Sequence, residues 1–440
     1  MQMRHKLAAL VDDREGRFRV DRSVYLDPDV FEAEMACLFE GGWIYLCHES
    51  QLKNAGDYFT TQMGRQPVFI VRKRDGGLGG YINACPHRGA TLALLQQGNV
   101  GAFTCRFHGW SFAHDGRCIS VKNEPTGDYL HDQVKENSGL TAIARLESYR
   151  GFVYGSLRAD VAPLSDFLGA TRPWIDLLVD QSPQGLEVLP GSSTYVIRGN
   201  WKMQAENGVD GYHVSTVHRV FAQTMINREA KLGLSGMART EAGRLTGDVA
   251  SGGFDFDNGH MAIWAKHTDP TRRPLYAQKE RLEREFPPAK VEWMLNRGRN
   301  LFLFPNMLLM DNPSTQVRTI QPITPDRAEV TVRVIAPVGE RQAERSARLR
   351  KFEDFYLTTG MATSDDLAAL EATHNGGYGR AARWNDLSRG LKTVMHGAEN
   401  ADSMAIGSQP RSSSNNWDHD TFYHGFYRTW KARLLEGEQS

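Results

Sequence analysis

Two short loops each offer one thiolate and one imidazole. Cys85-Pro86-His87 is followed, after seventeen intervening residues, by Cys105-Arg106-Phe107-His108. A structural zinc site also takes two Cys and two His, but usually as a Cys-x2-4-Cys pair with a separate His pair. A Rieske-type [2Fe-2S] cluster instead needs two thiolates on one iron and two imidazoles on the other, which two Cys/His loops supply. The spacing favours the cluster, with zinc or plain core residues as the alternatives. Cys37, Cys47 and Cys118 lie outside both loops and read as small buried hydrophobes. His114, in an Asp-Gly turn, reads as solvated.

A second group packs Asp210, His213 and His218 into nine residues. Two imidazoles and one carboxylate form the facial triad of a non-haem Fe(II) oxygenase, which leaves positions open for O2. On an unbroken helix Asp210 and His213 stand about 60° apart and His213 and His218 about 140° apart. Both rings can then meet one ion only across a broken or distorted turn, which Gly211 and the β-branched Val214, Thr216 and Val217 permit. The alternative is two unrelated surface histidines on a frayed helix.

The chain that must position these groups has 440 residues, with 52 Lys+Arg balancing 52 Asp+Glu and 40% hydrophobic residues. That is an ordinary globular composition for two or three domains. A formal charge of zero argues against nucleic acid and acidic polymers as partners. The most apolar stretch, 301–310, is interrupted by Pro305 and Asn306 and falls short of the roughly 20 residues of a membrane span. The opening MQMRHKLAALVDDREG fits neither a secretory signal nor a transit peptide. With five cysteines, an odd number, confined to the first 118 residues, a reducing, cytoplasmic setting is expected.

Residues 1–40 read as a mostly helical lead-in. From Trp43 the text turns to short β runs: 67–73 and 81–85 around DGGLGG, then 101–105, 110–113 and 118–120 around an Asp115-Gly116 turn, then 152–157. Further on, 193–198 reads as a strand, Asn200 opens a helix weakened by Gly208 and Gly211, and 314–323 with 328–336 form a strand pair. Charged helical text covers 340–356, and 374–420, including RSSSNN, reads as loop or lid. The expected fold class is α+β: a small all-β domain plus a larger domain with an antiparallel sheet covered by helices. The expected boundaries are an N-terminal segment 1–42 packed on the larger domain, a metal-cluster domain 43–158 and a catalytic domain 159–440. Gly377-Tyr378-Gly379-Arg380-Ala381-Ala382 fits G-x-G-x-x-A, yet it follows helical text instead of a strand, so no dinucleotide turn is expected.

CPHRG followed by CRFHGWSF resembles the Rieske motif of aromatic-ring-hydroxylating oxygenase large subunits. The run Asn200-Trp201-Lys202, Glu206-Asn207, Asp210-x2-His213-x4-His218 resembles their catalytic motif. The texture is most similar to the benzoate, anthranilate and 2-halobenzoate 1,2-dioxygenase group, through GRQPVFIVR, LESYRGFVYGSL, DQSPQGLEVLPGSS and NLFLFPNMLLMD. Arg219-Val220-Phe221 after the second histidine departs from the group's pattern. The resemblance implies one [2Fe-2S] cluster held by Cys85, His87, Cys105 and His108, and one mononuclear Fe(II) held by His213, His218 and a distant carboxylate. Within Thr363-Ser364-Asp365-Asp366 it assigns that role to Asp366, whereas a Thr363/Asp366 capping box is the competing reading.

The resemblance further gives Asp210 a bridging role towards His108 of the partner subunit in a homotrimer, or in an α3β3 assembly with a separate small subunit. A separate NADH-dependent reductase, with or without a ferredoxin, would supply the electrons. The implied activity is O2-dependent cis-dihydroxylation of an aromatic carboxylate such as benzoate, anthranilate, salicylate or a 2-halobenzoate. A monooxygenase or demethylase on the same metals, and a non-catalytic zinc module, are the alternatives. Asn207, Val214 and Tyr356 stand at positions resembling pocket residues, and Arg219 is the candidate contact for the substrate carboxylate.

Overall fold

The structure, a computed structural model, describes residues 2–129, 134–231, 249–312 and 314–437. It divides into two compact units, Met35–Leu164 and a discontinuous one of Met1–Glu34 with Ser165–Ser440.

The smaller unit is built of antiparallel strands in three sheets among its described residues. Gln66–Arg72 and Leu78–Ile82 pair as a hairpin from Val68 opposite Ile82 to Arg72 opposite Leu78. Asp75 Oδ1 accepts the Gly77 N–H at 2.9 Å and Gly76 takes φ +85°, a conformation a Cβ would strain. Asp57–Met63 and Gln97–Asn99 complete that sheet. Phe103–Thr104, Ser111–Phe112 and Cys118–Ser120 make a second, and Ile44–His48, Phe152–Ser156 and Arg145–Tyr149 a third. Tyr58, Phe69, Phe103, Trp110 and Phe112 pack in one core that also takes in Cys85 and Cys105. No cysteine is in a disulfide; Cys47 and Cys118 are buried and Cys37 is half-buried. His114 corrects the expectation of solvation: it is buried, with Nε2 2.8 Å from the Val100 carbonyl, because its turn folds back onto Tyr81, whose hydroxyl donates to the His114 carbonyl.

The larger unit is organised on an antiparallel sheet of ten strands among the described residues. At its centre Thr315–Thr324 lies between Met307–Asp311 and Arg327–Pro337, and the sheet continues through Arg297–Leu303, Met261–Lys266 and Ser251–Asp255. The Trp201–Asn207 helix packs on Thr315–Thr324 and on the Thr363–Gly377 helix. Its start is fixed by Asn200, whose side chain accepts the Lys202 N–H at 3.1 Å. Lys202 itself is fully buried, 2.5 Å from an equally buried Glu34. Glu34 also accepts from the indoles of Trp201, at 2.8 Å, and Trp430, at 2.6 Å. The first and last parts of the chain therefore clamp this short helix.

Two expectations change. The lead-in is only partly helical: Val11–Asp12 pairs with Arg19–Asp21, which pairs with Trp384–Asp386. Within the stretch read as loop, Ser412–Ser414 is a buried strand beside Ser251–Asp255. Serine's poor strand propensity is overridden there by the neighbouring strand's pairing groups. Among the described residues no helix is long and apolar enough to cross a membrane.

Candidate metal centres

In the smaller unit the two Cys/His loops repeat one backbone design. Cys85 N–H donates to the Ala90 carbonyl at 2.8 Å and Cys105 N–H to the Trp110 carbonyl at 2.8 Å. Gly89 N–H returns to the Cys85 carbonyl at 2.7 Å and Gly109 N–H to the Cys105 carbonyl at 2.9 Å. Both glycines sit at positive φ, +72° and +76°, as so tight a reversal requires. Asn83 secures the first loop from below, donating to the Ala93 carbonyl and accepting from the Leu92 and Ala93 N–H groups.

The loops sort their donors by type. The Cys85 and Cys105 thiols contact one another in the core, and burial raises the Cys85 pKa, with the Cys105 contact adding to it. His87 and His108 pair at the surface, ring centroids 4.6 Å apart, and His87 stacks on Trp110 at 4.9 Å. Sulfur beside sulfur and nitrogen beside nitrogen suits two irons with different ligands. One zinc ion would need all four donor atoms around a single point. Among the described residues only His213, His218 and Asp366 close on that scale.

In the larger unit the helix ends at Asn207, one turn of Val214–Val217 follows, and the chain kinks at His218 before Arg219–Lys231. This is the break that two convergent rings require. Gly211 permits it, since a Cβ there would drive into the Trp417 indole. His213 Nε2 and His218 Nε2 stand 3.2 Å apart, and Asp366 Oδ1 lies 3.5 Å from the first and 3.4 Å from the second. A point equidistant from three atoms so spaced is about 2 Å from each, the length of a metal–imidazole or metal–carboxylate bond. Two ring nitrogens presenting lone pairs to each other and to a carboxylate oxygen repel unless a cation lies between them. The residues therefore fit an iron.

Asp366 stands in the first turn of Thr363–Gly377, but the capping box is absent. Ala362 is the N-cap and the Thr363 hydroxyl donates to the Tyr356 carbonyl at 3.0 Å. Asp210 Oδ1 accepts the N–H groups of Tyr212 and His213, and its Oδ2 lies 3.1 Å from His213 Nδ1. A carboxylate behind the ring fixes its orientation and turns Nε2 towards the metal position. Although burial opposes it, Asp210 and Asp366 raise the His213 pKa. Burial lowers that of His218, with the charges of His213 and Arg318 acting in the same direction.

Asn207 and Tyr356 are at this site. The Asn207 amide donates to Asp366 Oδ1 at 3.3 Å, and Tyr356 is buried at the end of Gln342–Tyr356. Val214 is half-buried, directly after His213. Arg219, directly after the kink that buries His218, is exposed. Sequence reasoning missed Phe355, whose ring meets His218 at 5.3 Å and Phe221 at 4.9 Å, and Arg318, 3% exposed within a strand. A lone arginine amid uninterrupted strand text was the available signal for the latter.

Residues 42–143 match the Rieske [2Fe-2S] domain family and residues 188–433 the catalytic domain of ring hydroxylating alpha subunits. The chain is 45% identical to toluate 1,2-dioxygenase subunit alpha of Pseudomonas putida, over 97% of its own length and 93% of the relative's. It is 39% identical to the anthranilate 1,2-dioxygenase large subunit of Acinetobacter baylyi, over 96% and 91%. A naphthalene 1,2-dioxygenase variant crystallised with phenanthrene superposes with a TM-score of 0.83 at 26% identity, covering 97% of this chain and 94% of that one. The chain belongs to the ring-hydroxylating oxygenase alpha subunits. It is an O2-incorporating oxidoreductase carrying a Rieske [2Fe-2S] cluster and a mononuclear Fe(II), in a family that works with reductase and ferredoxin partners and forms oligomers of alpha subunits.

Proposed function

We propose that this chain is the large subunit of a terminal oxygenase that cis-dihydroxylates an aromatic carboxylate, of the benzoate, anthranilate, salicylate or 2-halobenzoate type, to a cis-diol or catechol. The observation that carries this is the convergence of His213, His218 and Asp366 within 3.5 Å beside an aromatic wall, in a chain similar along nearly its whole length to aryl-carboxylate 1,2-dioxygenase subunits. When bound, the cluster supplies electrons one at a time and the ferrous ion activates O2.

Cys85 and Cys105 are the proposed ligands of one cluster iron, His87 and His108 those of the other, and His213, His218 and Asp366 those of the mononuclear iron. Asp210 holds the His213 ring and leaves part of its carboxylate at the surface, where it can link to His108 of the partner subunit in a trimer or α3β3 assembly. Phe221, Phe355 and Tyr356 form an apolar flank on which an aromatic ring can lie, shielded from water. NADH, through a reductase with or without a ferredoxin, is the proposed electron source, and the cytoplasm, where thiols stay reduced, the proposed location.

The test is aerobic turnover of an aryl-acid panel with a heterologous reductase in labelled O2. Two labelled oxygens in a diol or catechol product support the reading. A single labelled oxygen, or dealkylation, transfers it to a monooxygenase.

A further inference from the structure

Four arginines are buried among the described residues: 297, 299, 318 and 348. Three of them meet carboxylates: Arg297 with Glu292 at 2.7 Å, Arg299 with Asp311 at 2.5 Å and Arg348 with Glu340 at 2.6 Å. Arg318 meets none. Its Nε donates to Gln316 Oε1 at 3.1 Å, Nη1 lies 3.5 Å from the Tyr195 hydroxyl, and the guanidinium sits 4.9 Å from the Tyr356 ring centroid. A buried cation without an anion is strongly unfavourable, so the fold keeps Arg318 at a cost that something else must offset.

A second donor stands beside it. Gln316 and Arg318, two apart on one strand, share a face. Gln316 is fully buried; its Oε1 is taken by Arg318, and its Nε2 has no partner among the described residues. Guanidinium and amide together offer N–H groups suited to the two oxygens of a carboxylate.

This pair is linked to the metal triad by two chains of contacts. The Tyr195 hydroxyl donates to Gln204 at 3.1 Å, Gln204 to Asn207 at 3.3 Å, and Asn207 to Asp366 at 3.3 Å. On the other side Tyr356, under the guanidinium, adjoins Phe355 at 4.7 Å, which meets the His218 ring. We infer that Arg318, assisted by the Gln316 amide, is the receptor for the carboxylate of the aromatic substrate and thereby selects acids over neutral arenes. This rests on the aryl-carboxylate reading above.

The experiment compares benzoate with nitrobenzene, a neutral mimic of the same shape, in the holoenzyme and in Arg318→Gln, Arg318→Lys and Gln316→Ala, after iron and acid-labile sulfide are shown to match wild type. Arg318→Gln is expected to lower kcat/KM for benzoate about 30–100-fold, mostly through KM, and to raise the calorimetric Kd for benzoate in parallel. Turnover of nitrobenzene should stay within about threefold. Arg318→Lys should recover part of the benzoate loss, and Gln316→Ala should lose roughly 5–10-fold for benzoate alone. Equal losses on both substrates would make Arg318 only a prop for Tyr356 and overturn the inference. Unchanged benzoate kinetics would do the same. Should Arg318→Gln fail to load metals, Arg318→Lys and Gln316→Ala decide by the same acid-against-neutral ratio. A wild-type enzyme that oxidises neutral arenes and ignores every aryl acid defeats the substrate reading itself, whereas acids oxidised equally by wild type and variants defeat the receptor alone.

Discussion

The two candidate metal centres are assembled in opposite ways. The cluster loops lie within 24 residues of each other, repeat the same pair of backbone hydrogen bonds and draw their support from Asn83 and the surrounding β core. The mononuclear site joins a helix break at 213–218 to a carboxylate about 150 residues later, and leans on a buried Lys202–Glu34 pair that brings in the chain's beginning and end. A centre built from neighbours in sequence is protected by local turns. One built from distant segments depends on the whole larger unit, so damage far from it should reach it.

That contrast can be tested directly. The largest effect is expected from Asp366→Ala: turnover should fall at least about a hundredfold, beyond what losing an orienting partner costs, while the visible spectrum of the cluster stays intact. Activity that survives, or a cluster that vanishes with it, would dissolve the distinction between the centres. Next, Glu34→Gln leaves the Lys202 ammonium buried without its anion and should destabilise the larger unit by about 3–5 kcal/mol, read by chemical denaturation, with iron content falling before cluster absorbance.

A third effect depends on pH. Burial lifts the Asp255 carboxyl to about 7 in the folded chain, against an ordinary value of 3.8. The folded state therefore holds a proton that the unfolded state releases, and wild type should lose about 1.4 kcal/mol per pH unit at most from near pH 4 until the loss levels off near pH 7. Asp255→Asn removes that slope, so thermal melts of the two should nearly coincide at pH 4 and separate in the variant's favour by pH 8. The smallest effect is Gly211→Ala, where a Cβ meets Trp417. It should cost about 1–3 kcal/mol and weaken iron retention, whereas the equivalent strain applied away from the break should leave iron alone.

What could be read from the chain follows the same division. Cys85, His87, Cys105 and His108 were legible because their chemistry is compressed into two turns. The need for a break between His213 and His218 followed from helical arithmetic alone. Arg318 and Phe355 were not legible, because burial beside the triad comes from strand pairing and helix packing across long sequence separations. Adjacency to His218 in sequence did not show that Arg219 would be exposed after the kink while His218 is buried. The Ser412–Ser414 strand was hidden because its partners, not its own residues, make it one.

The anchoring of Glu34 by both Lys202 and the Trp430 indole has an implication for biosynthesis. A ribosome releases the whole of 35–164 before it has made the last helix, Tyr423–Gly437, that closes the pocket around Glu34. The smaller unit can thus fold on the nascent chain while the pocket around Glu34 in the larger one stays open until Tyr423–Gly437 has been made.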